Sequence, residues 1–383
     1  MKTKDNIHRH NKAIQFLNQA HQVLQHQKEQ HNSASKLVLL STKKKKSLSQ
    51  KYSYEPSIHF TMHNYYNTQY SAYISVGKPN NYFKFILDTG SGVTFIGSSD
   101  CMSNGCKTKE NLYDINKARN WKSMHRKLDI NFVSGYVEIE IGTDDFYFDN
   151  GSEPHPLNNL EFGVVTNEDG IFENSDFDGV IGLSYPSLAD GTRPFFDRII
   201  ESKVLPMNIF SICYGRDPFK KDQSQFSLGG YDINCIENQD PSKIIWHEVV
   251  DKSWWTLKLD KVIFRTKEKG DFDTKLCQLN DDKKDCKIII DSGSSIMASP
   301  VQYLSQFLKL LESYSDCDHL NKYPDIVFVI NGAEYTLEPY EYVLSEKFQI
   351  DYEKKNGKKR NCAFGWTGFD IPERLIWIAG DIF

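Results

Sequence analysis

The chain has 383 residues, 39% hydrophobic and 25% charged, which is enough to bury sizeable cores in two or three domains. No stretch approaches the roughly 18 to 20 consecutive apolar residues of a membrane helix, and the ordinary soluble composition excludes global disorder. Net charge is −5, unevenly spread: the first 60 residues carry eleven Lys and Arg against three Asp and Glu, leaving −13 on the rest.

Residues 1–57 read as a separate basic unit. A Gln- and His-rich part from Gln15 to His31 overlaps a loose helical pattern (Ile14, Leu17, Leu24), followed by an apolar island at Leu37 to Leu40 and the run Lys43 to Lys46. Such a head can be a nucleic-acid arm, a membrane-surface anchor or a segment that folds back on its own domain. Met1 to Gln30 holds no apolar run of secretory-signal length. From Met62 the pattern changes to short aromatic and β-branched runs broken by Gly, Asn, Asp and Pro, as in Tyr73 to Val76 before Gly77-Lys78-Pro79-Asn80. Regular strand spacing of this kind, with 24 Phe and 20 Tyr, predicts an all-β architecture. Two helices are predicted within it, Pro194 to Glu201 and Pro300 to Tyr314. For the second, Ser299 suits the cap, Pro300 the first helical position, and Leu304, Phe307, Leu308 and Leu311 one apolar face.

The eight cysteines (Cys101, Cys106, Cys213, Cys235, Cys277, Cys286, Cys317, Cys362) are even in number and absent from the basic head. That favours disulfides and an oxidising compartment, and a chain whose secretory signal lies upstream of Met1. The competing reading, a zinc site, lacks a Cys-x2-Cys pair, and the six His of the head lie far from any cysteine in sequence.

The chemistry-bearing feature is an internal repeat. Phe85-Ile86-Leu87-Asp88-Thr89-Gly90-Ser91-Gly92 recurs as Ile288-Ile289-Ile290-Asp291-Ser292-Gly293-Ser294-Ser295. In each copy three apolar residues make a buried strand, Gly permits a tight turn, and hydroxyls beside the Asp can donate to its carboxylate. Two copies imply two similar lobes, each delivering one Asp to a paired-carboxylate site. Like charges in contact resist double ionisation, so one carboxyl keeps its proton as acid while its partner activates water; that pair suffices to hydrolyse an amide.

On these residues the chain from about Phe60 to Phe383 resembles the pepsin-like aspartic proteases (peptidase family A1, cathepsin D and pepsin type). Phe177-Asp178-Gly179-Val180-Ile181-Gly182-Leu183, with Tyr185-Pro186, is similar to the family's first-lobe loop beneath the active site. Trp377-Ile378-Ala379-Gly380-Asp381-Ile382-Phe383 is similar to its second-lobe equivalent, and Phe226 to Asp232 to the strand and turn leading to the lobe junction. The resemblance implies a bilobal all-β fold of two barrel-like lobes and a cleft, with a prosegment-like region at 1–57 and lobes at 58–234 and 235–383. It implies an aspartic endopeptidase cleaving polypeptides at acid pH through Asp88 and Asp291, without cofactor or metal, as a monomer. Localisation would be the secretory route, ending in an acidic lysosome- or vacuole-like compartment or outside the cell.

Residue by residue, the resemblance gives Thr89, Gly90, Ser91, Ser292, Gly293 and Ser294 supporting roles: Thr89 and Ser292 brace the base, while Ser91 and Ser294 donate to the outer carboxylate oxygens. It implies disulfides Cys101–Cys106, Cys277–Cys286 and Cys317–Cys362. Cys213 and Cys235 have no counterpart and are either a fourth bridge or buried thiols. The hairpin Leu128 to Tyr136 occupies the place of the substrate-covering flap, with Phe132, Ser134, Gly135 and Tyr136 as its substrate-side residues. Here the sequence departs from the family: the usual flap Tyr-Gly is Phe132-Val133, and the usual Trp after the first Asp is Phe95. Losing both polar tips together orphans no partner. The result is either a more apolar S1 wall or a flap in which Tyr136 substitutes.

Within the basic head, Lys36 to Lys43 looks like part of a family prosegment, with Lys43, Lys44, Lys45 and Lys46 as candidates to sit near the dyad; the alternative is a solvated, disordered tail. The chain stops at Phe383, where family members continue, so a truncated C-terminus is expected. The rival reading is a catalytically weak or inactive pepsin fold that binds peptides or proteins. Other classes fare worse. No Gly-x-Ser-x-Gly, Walker or dinucleotide glycine pattern occurs, and His247-Glu248 lacks the second His of a zinc helix. Nucleic-acid binding would rest on the lysine run alone. Asn150-Gly151-Ser152 is a glycosylation acceptor pattern.

Overall fold

The computed structural model describes residues 36–39, 56, 58–65, 67, 69–109, 111–132, 135–148, 155–170, 172, 175–216, 224–268, 270–277, 286–312, 319–344, 363–370 and 376–383. Lys43 to Lys46, Val133, Ser134, Asn150, Cys317 and Cys362 lie outside the described residues. Two compact units are present, one ending at Trp246 and the other starting at His247.

In the first unit, β1 (Lys36–Leu39), β2 (Ile58–Tyr65), β3 (Gln69–Val76), β4 (Tyr82–Asp88), β5 (Phe95–Gly97), β6 (Lys122–Asn131), β7 (Gly135–Phe148), β8 (His155–Gly170), β9 (Gly179–Gly182), β10 (Phe210–Tyr214) and β11 (Ser224–Leu228) form one sheet. Its order is β1-β10-β11-β2-β3-β4-β9-β5-β8-β7-β6. The sequence shows why strands form here. In β2, Ile58, Phe60 and Met62 are buried while His59, Thr61 and His63 are exposed, the period-two pattern of a half-buried strand. A further pairing of β3 with β7, Ser75 beside Tyr147 and Val76 beside Phe146, closes β3-β4-β9-β5-β8-β7 into a barrel. Aromatic rings fill it: Phe146 packs on Phe85, Phe162 and Phe195 at centroid distances of 6.1, 5.2 and 6.3 Å. The short helices α1 (Asn104–Thr108) and α2 (Phe195–Ser202) lie in this unit, the second burying Phe195, Phe196 and Ile199.

β1 ends the sheet, antiparallel to β10 with Lys36 beside Tyr214 and Leu39 beside Ser211. Cys213 of β10 bonds to Cys235, so this pair is a bridge and not two buried thiols. Cys101–Cys106 closes the loop that carries α1.

The second unit holds β12 (Thr256–Thr266), β13 (Gly270–Asp273), β14 (Lys287–Ile290), β15 (Met297–Ser299), β16 (Asp325–Ile330), β17 (Ala333–Leu337), β18 (Val343–Leu344), β19 (Ala363–Phe364), β20 (Trp366–Gly368) and β21 (Ile376–Ala379). The main sheet runs β17-β16-β12-β14-β21-β15-β20, with β13 on β12, and β18 pairs with β19. Cys277 bonds to Cys286 just before β14. Helix α3 (Val301–Glu312) packs Tyr303, Phe307 and Leu311 inward, and Phe307 meets Trp366 at 4.2 Å and Trp377 at 6.0 Å. Its cap differs from the expected one. The Val301 N–H donates to Asp370 Oδ1 at 2.9 Å, while Ser299 Oγ is buried with no hydrogen-bond partner among the described residues. A carboxylate at a helix N-terminus is the stronger acceptor, because it also meets the helix dipole.

Candidate active site

Asp88 is the last residue of β4, 7% exposed, where three buried apolar residues, Phe85 to Leu87, lead into a turn. Gly90 N donates to Asp88 Oδ1 at 2.7 Å and Ser91 Oγ to Oδ2 at 2.6 Å. Both oxygens therefore carry a donor. The neighbouring strand β9 runs parallel, with Asp88 beside Gly182. Leu183 N donates to Asp88 O at 2.8 Å and Ser184 N to Ser91 O at 2.9 Å, so the turn is clamped at both ends. Thr89 is buried beneath it.

Asp291 follows β14 in the second unit in the same manner. Gly293 N donates to Asp291 Oδ1 at 2.9 Å, Asp291 N to Ala379 O at 2.9 Å, and Asp381 N to Ser294 O at 2.7 Å. β14 and β21 are parallel, as β4 and β9 are. Ser292 is half-buried. Ser294 departs from its expected role: its hydroxyl donates to Ile296 O at 3.1 Å and not to the Asp291 carboxylate. A hydroxyl has one proton to give, and the Ile296 carbonyl, two residues along the same turn, takes it.

The β6–β7 hairpin, expected from the sequence to be the flap, is closed by Phe132 N donating to Gly135 O at 2.8 Å. Phe132 packs on Phe95 at 5.8 Å and on Phe172 at 5.1 Å, and Phe95 on Phe172 at 5.8 Å. Gly135 is required by this packing, since a Cβ there would come 2.7 Å from Phe172 Cδ2. The Tyr136 hydroxyl donates to Glu138 Oε1 at 2.6 Å within its own strand, and that bond pushes its pKa up to about 12. The Tyr136 hydroxyl is thus engaged within its own strand.

Comparison with known proteins matches residues 69–383 to the family described as eukaryotic aspartyl protease. The chain belongs to the eukaryotic aspartyl proteases. It is 29% identical to cathepsin E of Rattus norvegicus over 331 residues, which are 84% of this chain and 76% of that protein. Embryonic pepsinogen of Gallus gallus is 29% identical over 339 residues (86% and 78%) and pepsin A of Gallus gallus 28% over 340 (86% and 82%).

As an aspartyl protease, the chain is a hydrolase with aspartic endopeptidase activity on polypeptides, and the non-catalytic binding reading is not favoured. The segment Phe177 to Leu183 is tied in by Asp178. Its Oδ2 accepts Lys84 N at 2.8 Å, and its carbonyl accepts Gly97 N at 2.8 Å, which joins β4 to β5. Burial pushes this carboxyl above the ordinary range, opposed by the Lys84 N–H, Asn111 and the Lys109 and Lys84 charges. Among the described residues no group of three or more His, Cys, Asp or Glu could hold a metal ion, and no helix is long and apolar enough to cross a membrane. Sequence reasoning missed the Lys109–Glu168 ion pair near the flap: 59 residues separate the partners, and neither belongs to a motif.

Proposed function

We propose that Asp88 and Asp291 are the two catalytic carboxylates, acting as one coupled pair in which the ionised member activates water and the protonated member protonates the scissile carbonyl or leaving amine. The observation that carries this reading is the duplicated cradle. In two separate units an Asp stands at the end of a strand that has a parallel neighbour and accepts the N–H of the Gly two residues on, at 2.7 and 2.9 Å. Thr89, Gly90, Ser91, Ser292 and Gly293 support the pair, and Phe95, Phe132, Gly135 and Tyr136 form the flap region. The apolar contacts of Phe132 favour apolar side chains beside the scissile bond.

The chain reads as a zymogen: a prosegment at 1–57, an N-terminal lobe at 58–234 and a C-terminal lobe at 235–383, although the compact units part later, between Trp246 and His247. Support comes from the basic head against a −13 body and from the place of Lys36–Leu39 at the end of the first unit's sheet. At neutral pH ionised carboxylates hold the head as an intramolecular inhibitor; acid weakens those contacts and releases it. The disulfides favour the secretory route and an acidic lysosome- or vacuole-like or extracellular destination. The protein acts as a monomer.

The test is cleavage of denatured globin at about pH 3 to 5, with and without pepstatin, by wild type, Asp88→Asn and Asp291→Asn. Pepstatin-sensitive cleavage absent from both variants is the expected result. Well-folded wild type that binds pepstatin yet cuts nothing after prosegment removal overturns the assignment.

A further inference from the structure

Lys109 sits one residue past α1, and its side chain is 4% exposed. Its ammonium donates to Phe172 O at 3.2 Å, Ser175 Oγ at 2.8 Å and Phe177 O at 3.3 Å. Three protons thus meet three acceptors, all within one short loop. Glu168 Oε1 on β8, on a side chain 1% exposed, supplies the countercharge at 3.6 Å. The stem crosses the end of β5, where Gly97 leaves it room: a Cβ there would stand 3.2 Å from Lys109 Cδ. Burial holds the ammonium below the ordinary lysine range, opposed by Glu168 and Asp178.

A buried ion pair is weak evidence of stability, because desolvation offsets most of its attraction. Its geometric effect is more specific. The loop it gathers carries Phe172 and Phe177, whose rings meet at 6.1 Å, and Phe172 is the ring that supports both Phe132 of the flap and Phe95. Ser175 reinforces the same turn by reaching Phe172 O at 3.0 Å. Lys109 is thus bonded to the backbone of the residue whose ring packs on Phe132.

We infer that Lys109, paired with Glu168, is a positioning residue that fixes the Phe172–Phe132–Phe95 wall and thereby sets selectivity for a bulky apolar side chain on the amino side of the scissile bond. The inference rests on the aspartic endopeptidase reading. It extends that reading by tying substrate choice to a buried cation that touches neither substrate nor carboxylate.

The test uses the full chain after acid activation and two peptides that differ only in Phe or Ala before the scissile bond. Wild type, Lys109→Met, Lys109→Arg and the double variant Lys109→Met with Glu168→Gln are compared in kcat, KM and thermal midpoint. Lys109→Met is expected to lower the Phe-over-Ala ratio of kcat/KM by about tenfold, mostly through KM for the Phe peptide. The double variant, with no unpaired charge, is expected to recover thermal stability but not the ratio, whereas Lys109→Arg recovers part of the ratio. A ratio within twofold of wild type in a folded Lys109→Met, or one that returns with stability in the double variant, overturns the inference. Wild-type cleavage abolished by Asp88→Asn separates this outcome from failure of the protease reading.

Discussion

The Ser91 hydroxyl donates to Oδ2 of Asp88 at 2.6 Å. Its sequence counterpart Ser294 is turned away from Asp291, so the two half-sites are alike in backbone and unlike in side chain. Removing a charge-assisted bond costs about 1.5 to 3 kcal/mol. Ser91→Ala is therefore expected to lower kcat by about ten- to a hundredfold with little change in KM, and Ser294→Ala by less than about threefold. Steady-state kinetics on one peptide compares them directly; equal losses would show that Ser294 reorients in the working enzyme.

Gly182 and Gly380 lie against the two turns that present the carboxylates. A Cβ on Gly182 would come 2.6 Å from Gly92 C and 2.7 Å from Val93 N, and one on Gly380 would strike the Ser294 and Ile296 carbonyls. These neighbours are backbone and cannot swing aside. Each Gly→Ala is expected to cost about 1 to 3 kcal/mol or more and to reduce activity beyond what the loss of folded protein explains, read as active-site titration against pepstatin alongside thermal melting.

Asp144, 1% exposed on β7, accepts from the Tyr113 hydroxyl and, at Oδ1, from Asp145 N at 2.7 Å. Burial pushes its carboxyl up, opposed by Tyr113 and the Asp145 N–H and assisted by the Asp145 charge. A carboxyl whose folded pKa is raised contributes stability that is full below its unfolded value and is lost as pH rises through the folded value. Each unit of displacement amounts to about 1.4 kcal/mol. Asp144→Asn should flatten the decline in thermal stability between acid and neutral pH; a wild-type slope retained in the variant would assign that decline to other groups.

His247 has the opposite sign. Its Nε2 lies 2.5 Å from the Tyr335 hydroxyl, and burial holds its pKa below the ordinary histidine range. A base depressed in the fold contributes stability present above its unfolded pKa of about 6.5 and lost as pH falls. Hydrogen exchange in the β16–β17 hairpin, corrected for intrinsic rates, should quicken between pH 7 and pH 5 in wild type and less so in His247→Gln. Equal acid sensitivity in both would remove His247 as the cause.

Some of this protein was written in local pattern. The strand-Asp-hydroxyl-Gly-Ser repeat carried the matching turns at Asp88 and Asp291, because a strand, a tight turn and its N–H donors are all encoded within eight residues. The period-two burial of β2 and the Tyr303, Phe307 and Leu311 face of α3 follow from local periodicity in the same way. What tertiary structure decided depends on partners far apart in the chain. Asp370, not Ser299, caps α3 from 69 residues away. Cys235 finds Cys213 because β10 and the turn after β11 are brought together. Lys109 meets Glu168 and the Phe172 carbonyl only once β8 lies beside β5. A buried charge or hydroxyl takes whichever partner folding places within about 3 Å, and sequence spacing does not carry that distance.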